Sequence, residues 1–328
     1  MSEEEFWTHF RMTRTTFKKL EDYVTKHIEM KGQGGTEPMT IQETCLITVW
    51  YLATQCYLRE LSSLFARSVT AVWQAITRVC NILAFICVKD FIRWPGPSEV
   101  GDIALSFESS VKSGLPVPGI IGAIDGCHIK IKAPGSDQIS YLNRRMFHSI
   151  IIIAVSLPNK LFSYVSVGFP GSAHDSRVFC NSSLWFGVET SKNAYFTNSN
   201  YQVIGDSTFP CLSWLIPVLK DSVAVTSKEK AFNKQMSKSR VVIENPFGDL
   251  KNRFRRTQFV NTSVERASVI VTASCELHNI CISNGDGMNT TFVDPSGGLD
   301  LQIPVAPLTS AQESNEGKAK RRRLIDMF

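Results

Sequence analysis

The stretch Gly119–Pro134 (GIIGAIDGCHIKIKAP) sets a carboxylate between two apolar runs. Ile120, Ile121, Ala123 and Ile124 lead into Asp125, and Ile129 and Ile131 alternate with Lys130 and Lys132. Residues of this kind read as a strand, and burying an unpaired charge there is costly. Either Asp125 is tolerated at the end of the strand IIGAID, or something binds it. Ser149–Ser156 (SIIIIAVS) reads as a second, buried strand, with Leu161–Gly168 (LFSYVSVG) as its hairpin partner across Pro158-Asn159. Gln202–Gly205 (QVIG) is a short strand that ends at Asp206.

Helical patterns surround these strands. Arg240–Arg256 carries Phe247, Leu250 and Phe254 on one face. Pro is tolerated in a first helical turn, so Pro246 sets the expected helix start near Glu244–Asn245. A further helix spans Glu265–Ser283. Upstream, Thr15 is the expected cap of a helix bearing Phe17, Leu20 and Val24, and Lys31–Pro38 is a breaker. Thr40 and Glu43 have capping-box spacing before Leu46, Val49 and Trp50. Leu58, Leu61, Leu64 and Phe65 form a short helix, and Ser68 caps a second one bearing Val72, Trp73, Ile76 and Val79. Two helices joined by so short a turn suit a helix-turn-helix, whose second helix would present Thr70, Ala71, Gln74 and Arg78 to DNA. An ordinary helical hairpin fits the same pattern.

Arg93–Asp102 (RWPGPSEVGD) is a linker of Pro and Gly. The expected division is a helical domain over 1–92, a linker over 93–118, a strand-containing domain over 119–283, and a disordered, basic tail over 284–328. The 328 residues carry a net charge of +5, and Lys318, Lys320 and Arg321–Arg323 account for five positive charges in that tail. A polyanion partner therefore has to be argued from a local patch. Lys251, Arg253, Arg255 and Arg256 supply one on the outer face of the Arg240–Arg256 helix.

Nine cysteines without a CxxC pair argue against a disulfide framework or a zinc ribbon. Cys275, His278 and Cys281 stand at three-residue steps but lack a fourth ligand, so they read as small core residues. The apolar runs fall short of the ~20 residues of a membrane span. The acidic N-terminus (MSEEEFW) shows no basic-then-apolar leader. These features point to cytosol or nucleus, with no membrane partner.

Asp125 and Asp206 at strand ends and Glu244 at a helix start can meet above one edge of a sheet. Three hard oxygen ligands of this kind suit Mg²⁺ or Mn²⁺. Here IDGCHIKI, VGFPGSAHDSRVF, GDSTFP and RVVIENPFGDLKNRFR resemble, in order, the motifs of the PIF/Harbinger DDE transposases, over about Gly119–Ser283. The resemblance implies an α/β, ribonuclease-H-like mixed sheet flanked by helices, preceded by an all-helical, helix-turn-helix-like domain. It makes Asp125, Asp206 and Glu244 a DDE triad, with Asp175 as a possible fourth metal ligand and His174 as an orienting group. The implied activity is divalent-metal-dependent hydrolysis of DNA phosphodiesters. The alternative is a domesticated, non-catalytic DNA-binding or regulatory protein. A Mg²⁺-dependent small-molecule phosphohydrolase ranks lower, because no Gly-rich phosphate loop is present. The family also implies a Myb/SANT-like partner, and with it KAKRRR reads as a nuclear signal, leaving the cytoplasm as a second location. Two positions depart from the family pattern. SLPNK lacks an acid near Leu157, and Phe209 stands where tyrosine is usual.

Overall fold

The computed structural model describes residues 1–28, 38–110, 114–288 and 314–328. All of the breaker Lys31–Pro38 but its Pro38, and most of the expected tail, lie outside these residues. Two compact units emerge. The first joins residues 1–92, 129–134 and 248–293, and the second joins 93–128, 135–247 and 294–328.

The first unit opens with α1 (Glu3–Phe10) and α2 (Arg14–His27). Thr13, rather than Thr15, caps α2, accepting from the amide of Thr16 at 3.2 Å. Asp286 fixes that cap from afar, accepting from the Thr13 amide at 2.8 Å. In α3 (Ile41–Ala53), Thr40 accepts from the Glu43 amide as its spacing predicts. The Glu43 carboxylate does not close the capping box. It forks instead onto the Arg67 guanidinium at 2.7 and 2.8 Å. Arg67 lies in the turn between α4 (Leu58–Leu64) and α5 (Val69–Asn81), where Ala66 adopts a φ of 50°. Ser68 caps α5 through the Ala71 amide at 3.1 Å.

From α5 the chain continues through a π-helical segment, Ile82–Cys87, into α6 (Val88–Phe91). The run Val69–Cys87 has the length and mean hydropathy of a membrane span. Its Val72, Ile76, Val79 and Leu83 are nonetheless buried in this unit's own core. The chain next forms α7 (Val100–Ser109) in the second unit.

β1 (Ile120–Ile131) begins in the second unit and ends in the first. After α8 (Gln138–Tyr141), β2 (Ser149–Ser156) and β3 (Phe162–Pro170) pair antiparallel. All eight residues of β2 are buried, which suits its unbroken apolar run. α9 (Asp175–Cys180) and α10 (Ser183–Tyr195) follow, then β4 (Gln202–Gly205) and β5 (Leu215–Pro217). β1 with β4, and β4 with β5, pair in parallel, giving the order β3-β2-β1-β4-β5. A core of Ile121, Ile151, Val203, Phe179 and Trp214 joins these strands to their helices.

α11 runs from Ser227 to Arg253 and is far longer than its sequence pattern suggests. β6 (Phe259–Val260), reached through a 3₁₀ turn at Arg255–Gln258, pairs with Lys130–Ile131 in the first unit. The six strands thus form one mixed sheet flanked by helices. α12 (Val264–Ser283) also belongs to the first unit, packing on α2 and α5 rather than staying with residues 119–247 as the sequence suggests.

The end of the expected disordered tail is ordered as α13 (Asn315–Asp326). The Lys320 ammonium donates to the carbonyls of Ser199, Tyr201 and Ser213 at 2.6, 2.9 and 3.1 Å. Gly317 lets the helix approach the Cys211–Leu212 backbone, where a Cβ would sit 2.6 Å from main-chain atoms. Sequence composition cannot reveal this docking, because it depends on carbonyls more than a hundred residues away.

Cys275, His278 and Cys281 are all buried in α12, as core residues should be. Beside them lies Glu276, fully buried, with neither carboxyl oxygen hydrogen-bonded. Burial, reinforced by the charge of Asp90, pushes its pKa from 4.5 up to about 9. A carboxyl whose folded pKa exceeds its unfolded value costs nothing below that unfolded value. Its cost grows as pH rises toward the folded one. The protein should therefore lose stability as pH climbs from 4.5 toward 9. Glu276→Gln should flatten that slope and stabilise the protein by several kcal/mol at pH 8, read from urea unfolding at several pH values.

Candidate active site

The parallel register of β1 and β4 pairs Ala123 with Ile204. Continued by two residues, it sets Asp125 opposite Asp206. Asp125 therefore lies inside a twelve-residue strand rather than at a strand end, one residue past Ile124 and beyond the last β4 pairing. Asp206 lies just past β4, and its Oδ1 accepts from the Thr208 amide at 2.9 Å and the Thr208 hydroxyl at 2.5 Å. Asp175 is the first residue of α9, where a carboxylate suits the helix N-terminus.

Gly126 provides the space for this third carboxyl. A Cβ there would stand 2.4 Å from Asp175 Oδ1. The three aspartates act on one another electrostatically. Burial, then the charges of Asp125 and Asp206, pushes the Asp175 carboxyl up to about 7. Burial also raises Asp125, to about 6, with Arg240 opposing that rise and Asp206 adding to it.

Asp125 has two hydrogen-bond partners. Its Oδ1 accepts from the Gly126 amide at 2.8 Å, and its Oδ2 accepts from Arg240 Nη2 at 2.9 Å. The sequence reading gave Arg240 no role beyond opening a helix. Its signal lay in its position one helical turn before Glu244. The Glu244 side chain is exposed, and the structure gives it no contact with the aspartates. The sequence thus brings together Asp125, Asp175 and Asp206, while Glu244 stays apart. His174 pairs through Nδ1 with Arg144, and burial together with Arg144 and Arg177 lowers its pKa.

All-oxygen carboxylates are the donor chemistry that a hard divalent cation takes. Among the described residues no group of three or more His, Cys, Asp or Glu is placed to hold a metal ion.

Pro246 sits inside α11 and not in a first turn. Its missing N–H leaves the Val242 carbonyl without its helical donor. The buried Ser156 hydroxyl at the end of β2 supplies the bond at 3.2 Å. A helix interrupted at Pro246 is thereby held against the sheet, and the sequence alone could not place that hydroxyl.

The basic residues divide by burial. Arg253 is fully buried and donates to the carbonyls of Arg11 and Asp286. Arg256 is also buried, donating to the carbonyls of Tyr51 and Cys56 at 3.3 and 2.6 Å over the Tyr51 ring. Neither faces outward as expected, because the helix ends at Arg253 and its phase no longer governs the residues that follow. Arg255, Gln74 and Arg78 are exposed, and Lys251 is half-buried. Phe209 packs edge-on against Phe179 in the core.

Residues 124–279 match the family described as DDE superfamily endonuclease. The chain is similar to "Putative nuclease HARBI1" of Homo sapiens, 33% identical over 201 residues, covering 60% of this chain and 55% of that protein. The Rattus norvegicus protein of the same name is 34% identical over 203 residues, with the same coverage of 60% and 55%. "Protein ALP1-like" of Arabidopsis thaliana is 26% identical over 298 residues, 86% of this chain and 71% of that protein. The chain thus spans about half the length (55%) of the nuclease relatives it matches. No solved structure matches it.

Ser156→Ala should cost about 1 kcal/mol in urea unfolding. In a Pro246→Ala background, where residue 246 regains its N–H, the same change should cost much less. That coupling is the readout.

Proposed function

We propose that the chain is a transposase-derived DNA endonuclease of ribonuclease-H-like fold. Asp125, Asp206 and Glu244 form its DDE triad, and Asp175 adds a fourth acid. The observation that carries this reading is the meeting of Asp125, Asp175 and Asp206 within a domain matched to the endonuclease family. The three come from a strand, a helix start and a strand end far apart in sequence.

A divalent cation, Mg²⁺ or Mn²⁺, held by these carboxylates would activate a water and stabilise the leaving oxygen of a phosphodiester. The chain's own residues supply the rest. Thr208 fixes the Asp206 carboxylate, and the Gly126 amide fixes one oxygen of Asp125. Glu244 joins the group when its exposed side chain turns toward the aspartates. In-line attack of water on phosphorus would break the P–O3′ bond, leaving a 5′-phosphate and a 3′-oxygen that takes a proton from solvent to become a 3′-hydroxyl.

On this reading duplex DNA is contacted in the first unit by Gln74 and Arg78 on α5, the second helix of a helix-turn-helix, and by Lys251 and Arg255. A cleft of about 790 Å³ there, lined by Tyr57, Arg59, Val69, Trp73 and Phe259, adds aromatic and basic surface at the start of α5. Nuclear placement, with the cytoplasm as a second location, and a Myb/SANT-like partner complete the proposal and rest on the family resemblance. A nuclear signal would have to read Arg321–Arg323, since Lys320 is spent on α13 docking. A second reading, a non-catalytic DNA-binding regulator, is favoured by one observation: Arg240 already occupies Asp125.

The purified protein should cleave duplex DNA with Mg²⁺ or Mn²⁺, and Asp125→Asn should lower the rate at least about 100-fold while leaving DNA affinity intact. Full-rate cleavage by Asp125→Asn would defeat the triad assignment. DNA binding by the wild type without cleavage would favour the regulator.

Arg78→Ala and Arg255→Ala should each weaken duplex binding and reduce its salt slope by about 1. Arg256→Ala should instead lower the melting temperature. Fluorescence anisotropy across a salt series, with a thermal melt, separates the two effects.

A further inference from the structure

What sets Arg240 apart from the buried arginines of the first unit is its acceptor. Arg253 donates to main-chain carbonyls, and Arg256 to main-chain carbonyls and the neutral Gln55 amide oxygen. Arg240 gives its bond to a side-chain carboxylate, Asp125 Oδ2, with both side chains largely shielded at 17% and 18% exposure. Its Nε is buried and has no acceptor. The guanidinium is therefore anchored at one end, on the group that a hard cation would take.

The charges explain why it is there. Asp125, Asp175 and Asp206 repel one another. Arg240 is the cation bound directly to the cluster. The other oxygen of Asp125 already accepts from the Gly126 amide. A divalent ion approaching Asp125 thus meets a carboxylate with both oxygens engaged. It also meets a positive charge at hydrogen-bond distance, in surroundings where Coulomb terms are poorly screened. Arg240 and Glu244 stand one turn apart on α11, so the helix that carries the placeholder cation also carries the remaining carboxylate.

We infer that Arg240 is the built-in counter-ion of the metal-free site. It holds Asp125 until a divalent cation displaces it, so metal loading and Arg240 release are one event. This rests on the endonuclease reading. Arg240 is a positioning residue in this scheme. It sets when Asp125 becomes available.

The test is Mn²⁺ binding by calorimetry on the full chain without DNA. Arg240→Gln should bind Mn²⁺ about tenfold more tightly than wild type, because the competing cation is gone. Arg240→Lys, which keeps the charge, should stay within about threefold of wild type on the same scale. Asp125→Asn should abolish the binding. In EDTA, Arg240→Gln should melt at a lower temperature than wild type, since Asp125 then loses its ion-pair partner.

A readout on the wild type avoids reliance on a variant that fails to fold. Mg²⁺ should raise phenylglyoxal labelling of Arg240 several-fold, by mass spectrometry, while leaving Arg78 unchanged. Equal or weaker Mn²⁺ binding by Arg240→Gln, or labelling of Arg240 that ignores Mg²⁺, overturns this inference alone. Failure of both wild type and Arg240→Gln to bind Mn²⁺ overturns it together with metal-dependent cleavage.

Discussion

Parallel pairing of β1 with β4 places two carboxylates beside each other, and much of the second unit is arranged around that fact. The ladder through Ala123 and Ile204 leads both strands to an aspartate at the same level. α9 adds a third, admitted only because residue 126 lacks a Cβ. Like charges brought together in shielded surroundings raise one another's pKa values and cost stability. The neighbouring structure offsets that cost through the Thr208 donors, the Gly126 amide and the Arg240 guanidinium. A constellation that is expensive without a ligand is the usual mark of a functional site.

α11 connects this electrostatic problem to the packing. It carries Arg240 and Glu244 on successive turns and tolerates Pro246 a few residues later. The Ser156 hydroxyl, projecting from the end of the all-buried β2, accepts responsibility for the carbonyl that the proline leaves unbonded. The helix is thus held to the sheet close to the residues that bear on the aspartates. The first unit solves a different problem. Its buried arginines are structural, and one uncompensated acid, Glu276, lies within its longest core helix.

Local signals survived the step from sequence to structure where neighbours in the chain satisfy them. Thr40 and Ser68 cap their helices because the amides they need lie three residues away. The apolar run of β2 is buried along its whole length. Signals read by periodicity failed where the chain changed conformation or found distant partners. Arg253 and Arg256 looked like an outer helical face, yet one marks the helix end and the other lies in a 3₁₀ turn, and both are buried. Glu43 turned to Arg67 because a bidentate ion pair across the unit competes well with a local capping bond.

The sequence by itself determined the strands around Ile121, Ile152, Val165 and Val203, the Thr40 and Ser68 caps and the order of the motifs. Each of these is encoded within a few residues of chain. Only the tertiary structure decided that Asp125 lies inside a strand, that Asp175 joins it across Gly126, and that Arg240 rather than Glu244 meets it. It likewise turned part of the basic tail into a helix, with Lys320 bound to three carbonyls. The physical reason is that these residues become neighbours only when the sheet and its helices are assembled, and Arg240 and Lys320 then settle where distant segments supply a carboxylate or carbonyls.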